Sequence, residues 1–86
     1  MNRGNVLLID DEEKLRHLLN RIISMEGFLV FEADTLKTGL RILERELIQV
    51  ILCDVKLPDG NGVEFIEKVK TKFPQVEIIM LTAYGN

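Results

Sequence analysis

Val50-Ile51-Leu52-Cys53-Asp54, followed by Val55-Lys56-Leu57-Pro58-Asp59-Gly60-Asn61-Gly62, is the stretch on which the fold is decided. An apolar run of this length, closed by a Pro/Gly/Asn turn, reads as a strand buried on both faces. Such strands belong to parallel sheets covered by helices. Asp54 closes the run, at the carboxyl end of the strand, where open α/β sheets build their sites. A lone carboxylate is costly to desolvate, so its place there asks for a reason. A carboxylate that caps the following turn is the plain alternative, and the residues elsewhere in the chain have to separate the two.

Working outward, the same pattern repeats. Val6-Leu7-Leu8-Ile9 is a compact apolar run ended by Asp10-Asp11-Glu12-Glu13. Leu15, Leu18, Leu19, Ile22 and Ile23 then recur at the one-face spacing of an amphipathic helix, which Gly27 ends. Phe28-Leu29-Val30-Phe31 is a second short strand, and Glu32-Ala33-Asp34-Thr35 offers caps for a helix striped by Leu36, Leu40, Leu43 and Leu47. Gly39, inside that helix, costs about 1 kcal/mol against Ala and predicts close packing. After the third strand, Gln49 to Asp54, a third helix is striped by Val63, Ile66, Val69 and Phe73 and stopped by Pro74. Val76 to Leu81 is the fourth strand, with Thr82-Ala83-Tyr84-Gly85-Asn86 after it.

The order β-α-β-α-β-α-β predicts an α/β fold, a doubly wound parallel sheet with right-handed crossovers. Residues 1–86 make one small domain of four strands and three helices, one that buries roughly 60–65% of its unfolded surface. Apolar residues are 47% of the chain and charged ones 29%, which fits a globular protein. A net charge of −3 without a Lys/Arg cluster argues against direct nucleic-acid binding. Lys68, Lys70 and Lys72 alternate with apolar residues and read as a solvated helix face. The single cysteine, Cys53, excludes an intramolecular disulfide and suits a reducing cytoplasm. It lies within the buried strand and reads as a small hydrophobe. No apolar run is long enough for a signal peptide or a membrane span.

In such a sheet the ends of the first, third and fourth strands share one edge. Asp10, Asp11, Asp54 and Thr82 therefore meet there. Three converging carboxylates raise one another's pKa values unless a cation is present, and a hard divalent metal with oxygen ligands such as Mg2+ is the natural solution. For Asp11 alone a helix cap is an equal reading. Two adjacent acids, a third on a separate strand and a hydroxyl on another favour the site.

Leu8-Ile9-Asp10-Asp11-Glu12, Asp54 through Gly62, and Met80-Leu81-Thr82-Ala83-Tyr84-Gly85 together resemble the receiver domain of bacterial two-component response regulators, collinearly over the whole chain. The resemblance implies a flavodoxin-like, chemotaxis-regulator-like fold and a phospho-accepting signalling domain. Its enzymatic activity would go no further than self-catalysed phosphorylation and dephosphorylation. It implies that Asp54 accepts a phosphoryl group from the phosphohistidine of a sensor histidine kinase. Asp11 would ligate Mg2+ directly and Asp10 mainly through water, with Asp54 and the backbone carbonyl of Lys56 completing the protein ligands. Thr82 would donate its hydroxyl to a phosphoryl oxygen, with the small Ala83 leaving access. The Lys56 side chain, beside the acceptor, would tune phosphoryl lifetime. The ending Thr82 to Gly85 resembles receivers fused to ATPase and DNA-binding domains in enhancer-binding transcription activators, which implies regulation of transcription through an output domain.

Receiver domains continue with a fourth helix, a fifth strand and a fifth helix, and the fifth strand brings a lysine to the phosphoryl group. The sequence stops at Asn86, before these elements. The fourth strand is then expected to form an exposed apolar edge, so that the chain is either the ordered part of a longer protein or pairs with itself, as an edge-paired or domain-swapped homodimer. Two other functions stay open at this level. A receiver-like interaction module would take no phosphate for want of the lysine. A Mg2+-dependent phosphohydrolase would use an aspartyl-phosphate intermediate, although its two acids usually stand two residues apart, whereas Asp10 and Asp11 are adjacent. His17 falls off the apolar stripe of its helix and reads as a surface residue rather than a phospho-donor, and nothing in the sequence places Tyr84 on the surface or in the core.

Overall fold

The computed structural model describes residues 2–81, so Thr82, Ala83 and Tyr84, singled out above, lie outside the described residues. Nine elements follow in order: β1 (Asn5–Ile9), α1 (Glu13–Met25), β2 (Leu29–Ala33), α2 (Leu36–Arg45), β3 (Val50–Asp54), β4 (Lys56–Leu57), β5 (Gly60–Asn61), α3 (Gly62–Lys72) and β6 (Glu77–Leu81). The main sheet has the order β2-β1-β3-β6, with every neighbouring pair parallel. The chain runs from β1 outward to β2, then crosses to β3 on the other side of β1. The carboxyl ends of β1 and β3 therefore flank the switch point where such sheets hold ligands.

Alternation along the strands assigns the two faces. Leu7 and Ile9 of β1, with Ile51 and Cys53 of β3, join Ile42 and Leu43 of α2 and Phe65 and Val69 of α3 in one core. Gly39 is why α2 lies so close: a Cβ there would stand 2.6 Å from Cδ1 of Ile9. On the opposite face α1 covers β1 and β2. Cover there falls off along the register row Leu8, Leu52, Ile79, from fully buried, through half-buried, to 52% exposed on β6. β6, the expected fourth strand, stands at an edge of the sheet.

Several boundaries differ from the sequence-based expectation. β2 runs on through Glu32 and Ala33, because pairing with β1 continues to Ile9 opposite Ala33. The stripe of α1 is only partly covered, with Leu15, Leu18 and Ile22 exposed. α2 stops at Arg45, which leaves Leu47 outside the helix and exposed. In α3 the buried ridge is Gly62, Phe65 and Val69, and Val63 faces outward. A short antiparallel ladder, β4 with β5, folds the stretch after Asp54 back on itself; two residues per strand leave no periodicity to read.

Candidate phosphoryl-acceptor and metal site

Asp54 is the last residue of β3, pairs across with Leu81 of β6 and is partly exposed. Asp10 follows β1 directly and is almost fully buried, whereas Asp11, one residue on, is exposed. The strands end level, and carboxylate oxygens of Asp10, Asp11 and Asp54 lie within 4.8 Å of one another. The three acids expected to meet do meet. Neither Asp10 nor Asp11 caps α1: the N-cap is Glu12, which makes no side-chain cap bond. Asp10 Oδ1 instead accepts the amide of Glu12 at 2.8 Å, which turns the chain out of the sheet and into the helix.

Burial holds the Asp10 carboxyl above its ordinary range, and the charges of Asp54, Asp11 and Glu12 push the same way, against the Glu12 amide. Carboxylate oxygens gathered without an ion pair to any of them among the described residues suit a small hard cation. The donor set fits Mg2+, with room for water on the exposed side of Asp11. Lys56 opens β4, two residues past Asp54, with its side chain exposed. Cys53 is fully buried, and its thiol is pushed up to about 12 by burial, with the charges of Asp54 and Asp10 adding to it. It is a packing residue rather than a nucleophile.

The loop after Asp54 is fastened at two places. The Gly62 amide donates to the carbonyl of Val55 at 2.9 Å, and a Cβ at Gly62 would stand 2.7 Å from the Asp54 carbonyl oxygen and 3.1 Å from that of Val55. Glycine is needed here for space, not for the turn as the sequence suggested. Asp59 reaches across to α2, where Oδ1 accepts the amide of Leu36 at 2.9 Å and Oδ2 that of Lys37 at 3.0 Å. Thr35, the N-cap of α2, accepts from Thr38 at 3.1 Å. The first three amides of α2 are thus satisfied, two of them by the loop after Asp54.

Sequence reasoning gave Asp59 no role beyond the turn and passed over Arg16. Arg16 Nε donates to Glu32 Oε1 at 2.7 Å and Nη1 to the backbone carbonyl of Asp10 at 2.8 Å. The available signal was the charge at Glu32, directly after the apolar run of β2. His17 is exposed on α1, with Nε2 3.4 Å from the same Glu32 oxygen. No helix among the described residues is long and apolar enough to cross a membrane.

Comparison with known proteins places residues 6–86 in a match to the response regulator receiver domain family. The DNA-binding transcriptional regulator NtrC of Proteus hauseri is 31% identical over the whole of the chain, which spans 18% of that protein's length. The solution structure of the beryllofluoride-activated NtrC4 receiver domain dimer is 35% identical, with a TM-score of 0.88 over 95% of this chain and 68% of that one. The response regulator protein TrrA of Thermotoga maritima, solved in complex with Mg2+-BeF, is 27% identical, with a TM-score of 0.89 over 95% of this chain and 71% of that one.

Proposed function

This chain belongs to the response regulator receiver domain family, and on that premise we propose that Asp54 accepts a phosphoryl group from the phosphohistidine of a sensor histidine kinase. The observation that carries the reading is the convergence of Asp10, Asp11 and Asp54 at the switch point, with the acceptor carboxylate reachable from solvent. A carboxylate oxygen attacks phosphorus in line, the P–O bond forms, and the P–N bond to the donor breaks with its electron pair kept by the imidazole. A carboxylate needs no base to act as nucleophile, so the demand on the site is positioning and charge neutralisation. Asp10, Asp11, Asp54 and the Lys56 carbonyl would hold Mg2+, which when bound supplies positive charge to the phosphoryl oxygens. Asp10, buried and hydrogen-bonded to Glu12, orients the cluster, and Asp11 faces solvent, where the cation enters. Thr82, the residue after β6, would donate its hydroxyl to the transferred group, and the Lys56 side chain would set phosphoryl lifetime.

The 86-residue chain is incubated with Mg2+ and a small acyl phosphate and read by intact mass. One phosphoryl group per chain, absent in Asp54→Asn, is the expected result. Retention of the adduct in Asp54→Asn would overturn the assignment. No adduct on the unsubstituted chain would favour an interaction module, and steady turnover of phosphate esters a hydrolase.

Likeness to NtrC supports the further proposal that a longer parent protein regulates transcription from the cytoplasm, this domain being regulatory rather than an enzyme. Self-association is proposed through the β6 edge, supported by the place of β6 at the end of the strand order and by the dimer of the NtrC4 receiver. Light scattering is expected to give twice the chain mass, and a monomer at high concentration counts against it.

A further inference from the structure

A polar chain runs along one side of α1 and ends at the acidic site. Arg16, Asn20 and Ser24 are spaced four residues apart, so they stack on one face of the helix. Ser24 Oγ donates to Asn20 Oδ1 at 2.8 Å, Asn20 Nδ2 donates to Glu32 Oε2 at 2.6 Å, and Arg16 Nε donates to Glu32 Oε1 at 2.7 Å. The free arm of the guanidinium, Nη1, then reaches the carbonyl of Asp10. The side chains of Arg16 and Glu32 are 13% and 22% exposed, and against the effect of burial the hydrogen bonds of Asn20 and then Arg16, with the charges of His17 and Arg16, hold the Glu32 carboxyl below its usual range.

The carbonyl that Arg16 holds belongs to the peptide group joining Asp10 to Asp11. That group is planar, so orienting its oxygen orients the bonds leading to both side chains. On the other side of Asp10, its amide donates to the Ala33 carbonyl at 3.0 Å. The main chain at the acid pair is therefore gripped from β2 through the amide and from α1 through the carbonyl. We infer that Arg16, braced by Glu32 and Asn20, is a positioning residue that aims the Asp10 and Asp11 carboxylates at the cation.

The sign of the effect separates this role from plain electrostatics. Arg16 is a positive charge near a cation site, and Coulomb repulsion alone predicts that removing it tightens Mg2+ binding. Positioning predicts the opposite. Lysine cannot take the place of arginine, because a single ammonium does not reproduce the fork that meets Glu32 and the carbonyl at once.

The inference rests on the reading of Asp10, Asp11 and Asp54 as Mg2+ ligands, and the test separates the two. Mg2+ alone is titrated into the isotope-labelled 86-residue chain and the amide resonances of Asp11 and Glu12 are followed by NMR. Arg16→Ala is expected to raise the Mg2+ dissociation constant roughly ten- to hundredfold, the range seen when partners of metal ligands are removed. Arg16→Lys is expected to weaken binding in the same direction, and it serves if the alanine variant does not fold. Lys14→Ala, which removes an exposed cation of α1 outside the network, is expected to leave the constant unchanged. Equal or tighter binding by folded Arg16→Ala or Arg16→Lys would overturn the role of Arg16 alone. An unsubstituted chain without Mg2+-dependent shifts would overturn the metal site, and this inference with it.

Discussion

At Asp10, burial and three neighbouring charges raise the carboxyl pKa against a single amide donor. An acid whose pKa is higher folded than unfolded binds more protons in the folded chain between the two values. Its contribution is then most favourable in acid and is lost as pH rises through that window. Asp10→Asn keeps an oxygen for the Glu12 amide and removes the charge. The metal-free variant is expected to melt above the unsubstituted chain at neutral pH, with the gap closing in acid, and to bind Mg2+ more weakly. Thermal melts with a chelator at neutral and acid pH check the first part. At Gly62 the limit is space. A methyl there meets two backbone carbonyls that cannot rotate away, so Gly62→Ala is expected to cost about 1–3 kcal/mol in urea unfolding. Gly39→Ala should cost less, because the atom it meets is the tip of the Ile9 side chain and a helix gains roughly 1 kcal/mol on replacing glycine.

Among the elements, the loop from Asp54 to Gly62 depends on α2 as much as on its own turn residues. Asp59 accepts two amides at the positive end of that helix, and these bonds, Leu36 first and Lys37 next, hold its pKa below the usual range. A carboxyl depressed in the folded state contributes stability that is present above its unfolded pKa and lost as pH falls through its folded value. Asp59→Ala is therefore expected to lower the melting temperature at neutral pH, with the difference disappearing in strong acid. A melting series on both chains from neutral pH downward checks it, and a constant difference at all pH values would count against the cap. The Arg16 network is the counterpart on the other face, where α1 is joined to β2 through Glu32. Both devices tie a segment beside the acidic cluster to a neighbouring helix.

Over the whole molecule, the two faces of the sheet are unequally covered. Ile51 is completely buried between β1, α2 and α3, whereas Ile79, on the other face at β6, is 52% exposed. Ile51→Ala is expected to cost about 2–5 kcal/mol, through lost burial and the cavity it leaves. Ile79→Ala should stay within about 0.5 kcal/mol of the unsubstituted chain. Denaturant titration of both variants checks the contrast, and a large loss at Ile79 would indicate that the open face is covered in solution.

How much of this was legible in the sequence follows from the range of each interaction. The apolar runs at Val6–Ile9 and Val50–Asp54, with helical stripes between strands, specify parallel strands, because strand and helix periods are local. The acids that close those runs therefore fall on one edge whatever the side-chain details, and the sequence by itself determined that Asp10, Asp11 and Asp54 converge. It did not determine what holds them. The grip of Arg16 on the Asp10 carbonyl, the cap that Asp59 places on α2 and the space that only Gly62 leaves beside Asp54 join residues through the packing of separate elements. Those contacts depend on strand register and helix placement, which local periodicity does not encode, and the tertiary structure alone decided them.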